Sequence, residues 1–497
     1  MSGRIPPPPP TVTADPLSTA NISIRRVVKT HSPIIVGAGP SGLAVAASLH
    51  RLSVPSIILE RSDGIADLWR HRAYGRLFLH LPKAFCQLPH LPFPAHFPTY
   101  PSKADFLQYL HSYAHHFSLH PIFGCTVVAA HFDPAVSLWR VTTVWHHLSD
   151  QPVQSHSPSQ MSESLSESSR STSEESVGSS AEPEELEVVE YVSPWLVVAS
   201  GENAEPVVPK LKGREEFKGS VLHSSEYKNG KAYMGKRVLV VGCGNSGMDL
   251  CLDLCEHGAM SFMSVRSGVS SPSTPPIVWF SSLDCPELRG WKNNDLFSDY
   301  DLLLLSCIVH VLPREMFGAS TFGLAMKLLK WLPLRMVDMF LLMVVRMVIG
   351  NTEKYRLKRP ELGPLEIKIM TGKTPVLDVG ALTLIKNGRI QIVPEVESLT
   401  SNGAKFVDGR EMGYDSVVFA TGYRSNVATW LKDSDFISED GKPKTPFPHG
   451  WKGKNEIFYV GFTGRGLPGT SADAIKIALD IAESWKKKNP ESQNFVL

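Results

Sequence analysis

Apolar positions fall into short runs separated by turns of small residues, and one arrangement occurs twice. Ile34-Ile35-Val36 is followed by Gly37-Ala38-Gly39-Pro40-Ser41-Gly42, an Ala/Leu-rich stretch, and a second run, Ile57-Ile58-Leu59, that ends on Glu60. This order predicts a buried strand, a glycine turn, a helix and a second strand. It returns later: 237–241 predicts a strand, Gly242-Cys243-Gly244-Asn245-Ser246-Gly247 a turn, 248–256 a helix and 261–265 a strand, and there the run leads to Arg266. Further strands are predicted at 126–130, 139–144, 195–201, 417–423 and 457–461. Helices are predicted from Ser102 through Tyr113, with Ser102 as cap, and over 473–485. Prolines at 82, 89, 92, 94, 98 and 101 exclude long regular elements, and the aromatic content between them suits a segment that wraps a ligand.

Each glycine of the first turn has a mechanical reason. Gly37 lets the chain leave the strand, Gly39 lets the backbone approach a pyrophosphate, and Gly42 lets the helix lie close on the sheet. Phosphates then meet the unpaired N–H groups of the helix start, where the dipole favours negative charge. Glu60, 18 positions past Gly42, stands where a carboxylate accepts hydrogen bonds from an adenosine ribose. At the corresponding place of the second unit stands Arg266, whose guanidinium matches a 2′-phosphate. The first turn therefore suits FAD and the second suits NADPH over NADH. A chain with two such units is a flavin enzyme that takes hydride from a nicotinamide. Trp69, and Thr421-Gly422 at the end of the run Val417-Val418-Phe419-Ala420, join the candidate cofactor contacts, and Gly469-Thr470-Ser471-Ala472 at a helix start suits the flavin end of FAD.

The fold class expected is α/β, with two Rossmann-like dinucleotide-binding domains, the FAD domain being discontinuous and the NADPH domain inserted in it. The expected bounds are a disordered proline-rich tail over 1–30, an FAD-binding domain over 31–204 and 380–497, and an NADPH-binding domain over 205–379. Residues 155–187 are serine and glutamate with almost no large apolar side chain, a composition that predicts a disordered loop. Residues 268–307 hold no helix or strand periodicity and interrupt the arginine-bearing turn.

Length and charge narrow the field. At 497 residues and 42% hydrophobic content the chain can bury two or three domains, and a net charge of +1 gives no case for nucleic acid. Seven cysteines without a CxxC pair argue against a disulfide framework, a zinc site or a disulfide reductase. The start of the chain has prolines in place of a signal peptide's apolar core, which fits the cytoplasm. His111, His115, His116 and His120 recur at helical spacing without a joining carboxylate or cysteine cluster, so they are read as helix surface and no metal is assigned. Residues 324–349 are apolar but interrupted by Lys327, Lys330, Arg335, Asp338 and Arg346, which predicts amphipathic helices, with a peripheral membrane contact left open.

Several stretches carry a resemblance. Phe217-Lys218-Gly219-Ser220-Val221-Leu222-His223-Ser224-Ser225-Glu226-Tyr227 matches the FxGxxxHxxxY signature of class B flavin-containing monooxygenases, and Phe419 to Tyr423 matches their FATGY strand. Leu79-His80-Leu81-Pro82-Lys83, Val311-Leu312-Pro313-Arg314-Glu315-Met316, the run from Gly372 to Gly380, and Gly461-Phe462-Thr463 resemble the YUCCA type within that class. The resemblance implies FAD and NADPH as cofactors, O₂ as co-substrate, and oxidative decarboxylation of indole-3-pyruvate to indole-3-acetate, the chemistry of auxin synthesis in plants. It implies that His80 is a flavin-pocket residue, and identifies no catalytic side chain, because the reaction takes place on the flavin. It also admits peripheral association with the endoplasmic reticulum. Arg424 and Arg465 are candidates for the substrate carboxylate, with exposed loop charge as the plainer reading. A general nitrogen- or sulfur-oxygenating monooxygenase is the alternative, and a non-catalytic product follows if 268–307 disrupts the NADPH domain. Val269-Ser270 are encodable by GTAAGT, the usual start of an intron, so the block is read as translated unspliced sequence, which a continuous coding transcript would remove.

Overall fold

A computed structural model of the chain describes residues 26–145, 187–266, 310–371, 374–432, 437–438, 441–445 and 449–489. Residues 155–186 of the acidic serine loop and the block 268–307 lie outside the described residues, as does the tail before Arg26; Glu187, expected in that loop, opens the strand Glu187–Ser193. Among the described residues the three largest sheets have four, five and four strands. In the first, four parallel strands stand in the order Ile457–Tyr459, Leu196–Val198, Ile34–Val36 and Ile57–Leu59. Short strands buried on both faces are what a parallel sheet covered by helices requires. The helix Pro40–Arg51, buried from Gly42 to Leu49, covers one face and packs against the C-terminal helix Gly466–Lys488.

The second sheet has five parallel strands in the order Ile390–Val393, Met260–Ser264, Arg237–Val241, Ser416–Phe419 and Ser220–His223. This corrects the expected boundary. The first unit does not resume at 380, because 390–393 and 416–419 complete the second sheet. The chain crosses between the units at Glu205–Pro206 and Tyr423–Arg424, two short strands that pair antiparallel. After the second crossing, Val427–Trp430 packs on Cys125–Asp133 of the third sheet.

That third sheet runs in the order Arg26–Lys29, Glu187–Ser193, Leu138–Trp145 and Cys125–Asp133. Arg26–Lys29 pairs parallel with Val189–Val192, so the expected tail over 1–30 overruns into structure by these four residues. The helix Lys103–His116 starts on a capping box in which Ser102 and Asp105 satisfy each other's backbone donors. His111, His115 and His116 are exposed on it, and His120 is exposed just beyond it.

Residues 324–349 form parts of two helices, Thr321–Leu328 and Leu334–Ile349, broken at Pro333. Val337, Leu341, Val344, Val345 and Ile349 give the second its buried face. Asp338, also buried, accepts the Leu365 and Glu366 N–H groups that open the helix Pro364–Thr371. Among the described residues no helix is long and apolar enough to cross a membrane.

Lys83 organises the proline-rich stretch. Its ammonium donates to the carbonyls of Pro94, Ala95 and Phe97 at 3.1, 2.9 and 2.6 Å, so the loop folds back over one charge.

Candidate functional site

The two glycine turns have the same anatomy. Gly37 and Gly242 take φ of +111° and +117°, a left-handed conformation that side chains resist. A Cβ on Gly37 would lie 2.7 Å from the Ala199 carbonyl oxygen, and one on Gly242 would lie 2.5 Å from that of Ala420. Each turn is thus pressed onto the next strand of its sheet. A Cβ on Gly42 would collide with the Gly37 carbonyl, and one on Gly247 with that of Gly242. The middle glycines differ: Gly39 and Gly244 cap their helices in extended conformation, and a Cβ on either would meet nothing within 4 Å. Open space beside a helix N-terminus is where a pyrophosphate is received.

Glu60 is 7% exposed and serves the turn itself. Its Oε2 accepts the Ala38 N–H at 2.7 Å and its Oε1 the Ser62 N–H at 3.0 Å. Burial pushes the carboxyl up from its ordinary value, and the two backbone donors pull it back down. A carboxylate offers about four acceptor positions, so capacity remains for ribose hydroxyls.

A cleft opens between the first turn and Glu60 on one side and Trp69, Arg72, Thr126, Asn426, Trp430 and Thr470 on the others. Trp69 stands edge-on to Phe106 at 4.6 Å between centroids, which fixes it as a wall. Arg72 donates to the Ala204 carbonyl at 2.7 Å and lies 3.5 Å from Asp67. Two oxygens in this lining, Ser200 Oγ and Asn426 Oδ1, are buried without a hydrogen-bond partner. Unpaired buried oxygens are costly unless a polar ligand meets them, so the lining fits a hydrogen-bonding nucleotide. Arg72, Ser200 and Asn426 escaped sequence reasoning because they come from three separated segments with no local motif.

The second turn is tied to its surroundings through Asn245, whose Oδ1 accepts the Leu377 N–H at 3.0 Å. Strand register places Arg266 one residue later than its presumed counterpart. The amide of Gly37 donates to Leu59 and that of Gly242 to Ser264, so the counterpart of Glu60 is Val265. Val265 is partly buried and packs on the core, whereas Arg266 is half exposed, its Nε 2.8 Å from Glu395 Oε1. A short carboxylate reaches back to the turn's own amide, whereas a long cation set one position further out faces solvent, where a 2′-phosphate can be met.

Thr421 and Gly422 are not in the cleft lining. Thr421 Oγ1 donates to the Val207 carbonyl, and the Gly422 carbonyl lies 3.0 Å from His223 Nε2, so both residues fasten the crossing between the units. The FxGxxxHxxxY signature proves structural in the same way. Ser220–His223 pairs with Ser416–Phe419, His223 is 1% exposed beside Ser225 and Gly422, and Tyr227 donates to Asp253 at 2.6 Å. Burial holds the His223 imidazole down to about 4.

His80 likewise does not line the cleft. It faces Asp249 and Arg314, and burial holds its imidazole below the usual range. Arg424 pairs with Glu205 at 3.6 Å at the crossing, and Arg465 faces Asp473 at the start of the C-terminal helix. The free cysteines Cys86, Cys125, Cys251 and Cys255 are buried, and burial pushes the Cys86 and Cys251 thiols up to about 12.

A cleft whose glycine turn, acid and unpaired oxygens fit one dinucleotide, in a chain with a second such turn edged by arginine, defines a flavoprotein of the two-dinucleotide class. The family model for flavin-binding monooxygenase-like proteins matches residues 31–153 and 160–271. The chain is 54% identical over 467 residues to indole-3-pyruvate monooxygenase YUCCA8 of Oryza sativa subsp. japonica, covering 93% of each chain. It is 47% identical over 457 residues to probable indole-3-pyruvate monooxygenase YUCCA4 of Arabidopsis thaliana, covering 92% of this chain and 91% of that protein. The fold is shared with a flavin-containing monooxygenase from Stenotrophomonas maltophilia at 17% identity and a TM-score of 0.57, covering 92% of this chain and 99% of that one. The chain belongs to the YUCCA family of flavin-binding monooxygenases.

Proposed function

We propose that the chain converts indole-3-pyruvate to indole-3-acetate and CO₂, consuming NADPH and O₂ and releasing NADP⁺ and water. The observation that carries this reading is the pair of opposite nucleotide edges, Glu60 on one turn and Arg266 on the other, in a chain 54% identical over 93% of its length to YUCCA8. When bound, FAD supplies the redox chemistry, accepting hydride and activating O₂. The protein's part is to hold and shield. The first turn receives the FAD pyrophosphate, Glu60 the adenosine ribose, and Trp69 with Trp430 closes the cleft from water. Gly244 and the helix start behind it receive the NADPH pyrophosphate, while Arg266 engages the 2′-phosphate.

We also place the chain in the cytoplasm, with the exposed Met339 and Met347 of the helix Leu334–Ile349 supporting peripheral contact with the endoplasmic reticulum. Release from a microsomal pellet by alkaline carbonate is the outcome expected, and retention in the pellet would speak against it.

The deciding experiment reduces purified flavin-loaded protein anaerobically with NADPH, then adds O₂ and indole-3-pyruvate and follows the flavin spectrum and the product mass. Bleaching by NADPH and appearance of indole-3-acetate are expected. Turnover of amines or thioethers without indole-3-acetate would select a general nitrogen or sulfur oxygenase instead.

A further inference from the structure

Indole-3-pyruvate carries its carboxylate on a short arm beside an aromatic ring, so its site needs a cation and an apolar wall near the flavin end of the cleft. Among the described residues, burial holds three lysine ammoniums below their ordinary value. Two of them are satisfied by backbone. Lys103 donates to the Arg70 and Ala73 carbonyls at 3.2 and 2.9 Å, and Lys228 donates to those of His71 and Ser225. Lys368, half-buried on the helix Pro364–Thr371, has no hydrogen bond and no carboxylate partner among the described residues. Its Nζ lies over the Phe322 ring, 6.0 Å from the centroid.

Phe322 stands in the first turn of the helix Thr321–Leu328 and meets Phe85 edge-on, at 5.1 Å between centroids. The approach is close, since a Cβ on Gly323 would lie 3.3 Å from Phe85 Cε2. Both rings are half-buried, and neither joins the hydrophobic core of the unit it comes from. Phe85 belongs to the short helix Lys83–Cys86, which packs on the C-terminal helix. There Ser471 Oγ donates to the Gln87 carbonyl at 2.8 Å, while Gly466, Leu467 and Thr470 of the same helix line the flavin cleft. Lys368 is held from behind, because Ile367 is buried and Asp338 accepts the first amides of its helix. Arg465, at the head of the C-terminal helix, adds positive charge near Lys368 but is itself answered by Asp473.

We propose, resting on the indole-3-pyruvate reading above, that Lys368 binds the substrate carboxylate and that Phe322 and Phe85 form the wall for its indole ring, where the two units meet beside the flavin cleft. The ammonium gains the anion that the protein does not supply. Holding the ring and the carboxylate restricts the keto carbon that lies between them. A neutral indole of the same shape would leave the ammonium unpaired, so the site selects acids.

The test uses the flavin-loaded full chain and a pair of probes of one shape, indole-3-acetate and the neutral indole-3-acetamide, titrated by calorimetry. The wild type should bind the acid more tightly than the amide. Lys368→Met should weaken the acid by about ten- to a hundredfold and leave the amide as it was, while Lys368→Arg keeps the preference. Phe322→Ala should weaken both probes by a similar factor and keep the preference, because it removes the wall and leaves the charge. In turnover, the KM for indole-3-pyruvate should rise in Lys368→Met by the factor seen with the acid, with the KM for NADPH and the flavin content at wild-type values. A preference for the acid that survives Lys368→Met overturns the proposal, as does an equal loss of both probes in that variant or a wild type without the preference. A wild type that prefers the acid but forms no indole-3-acetate from indole-3-pyruvate overturns the functional reading instead, and the two probes then decide the role of Lys368 alone.

Discussion

Glu60 Oε2 stands 2.7 Å from the amide nitrogen of Ala38, so the acid at the edge of the flavin cleft also holds the glycine turn in shape. Removing it in Glu60→Ala leaves the buried Ala38 amide without its acceptor, at about 1–3 kcal/mol, and strips the part-buried Ser62 amide of its partner as well. The expected outcome is protein that loses its flavin on gel filtration, with affinity down at least about tenfold, read from the absorbance ratio of the eluted peak.

The three glycines of a turn should fail differently. Gly39→Ala puts a methyl into open space, so the flavin-free chain keeps its urea midpoint and loses flavin binding. Gly42→Ala drives a methyl into the Gly37 carbonyl and should cost about 2 kcal/mol or more of stability, with or without cofactor. Equal urea midpoints for the two variants would contradict this division of labour.

Arg266→Ala should leave flavin content unchanged and erase the preference for NADPH. A charge-assisted contact to phosphate contributes about 1.5–3 kcal/mol, so the ratio of kcat/KM for NADPH over NADH should fall by about ten- to a hundredfold. Steady-state kinetics with both nucleotides checks it.

His223 makes stability depend on acid. Its folded value, about 4, lies below the ordinary 6.5, so its contribution is present above pH 6.5 and is lost as pH falls toward 4. In that window the unfolded chain takes up a proton that the folded chain refuses. The pH dependence of the denaturant midpoint should therefore be shallower in His223→Gln than in the wild type between these two values, and parallel curves would disprove it.

Lys83→Met removes the one cation that gathers the Pro94, Ala95 and Phe97 carbonyls. Limited proteolysis should then cut within 81–101 at least about tenfold faster, because the loop has no other charged anchor of this kind among the described residues.

Much of the site was legible because its rules are local. The strand Arg237–Val241 takes in the whole apolar run from Val238 to Val241, and both glycine turns sit between the strand and helix that their spacing demands. Two readings failed for one shared reason, that strand pairing is chosen across a sheet. The chain returns to the first unit at Tyr423–Arg424 and not at 380, and Arg266 is offset by one from the register of Glu60.

The sequence by itself determined two cradles and the opposite sign of their edges, because a glycine's missing side chain and a terminal charge act over a few neighbouring residues. Only the tertiary structure decided which distant side chains share those cradles. Ser200 and Asn426 meet in one cleft, and Tyr74 reaches Asp249 across 175 positions, because the long-range packing of buried surface, which leaves no local pattern, brings them together.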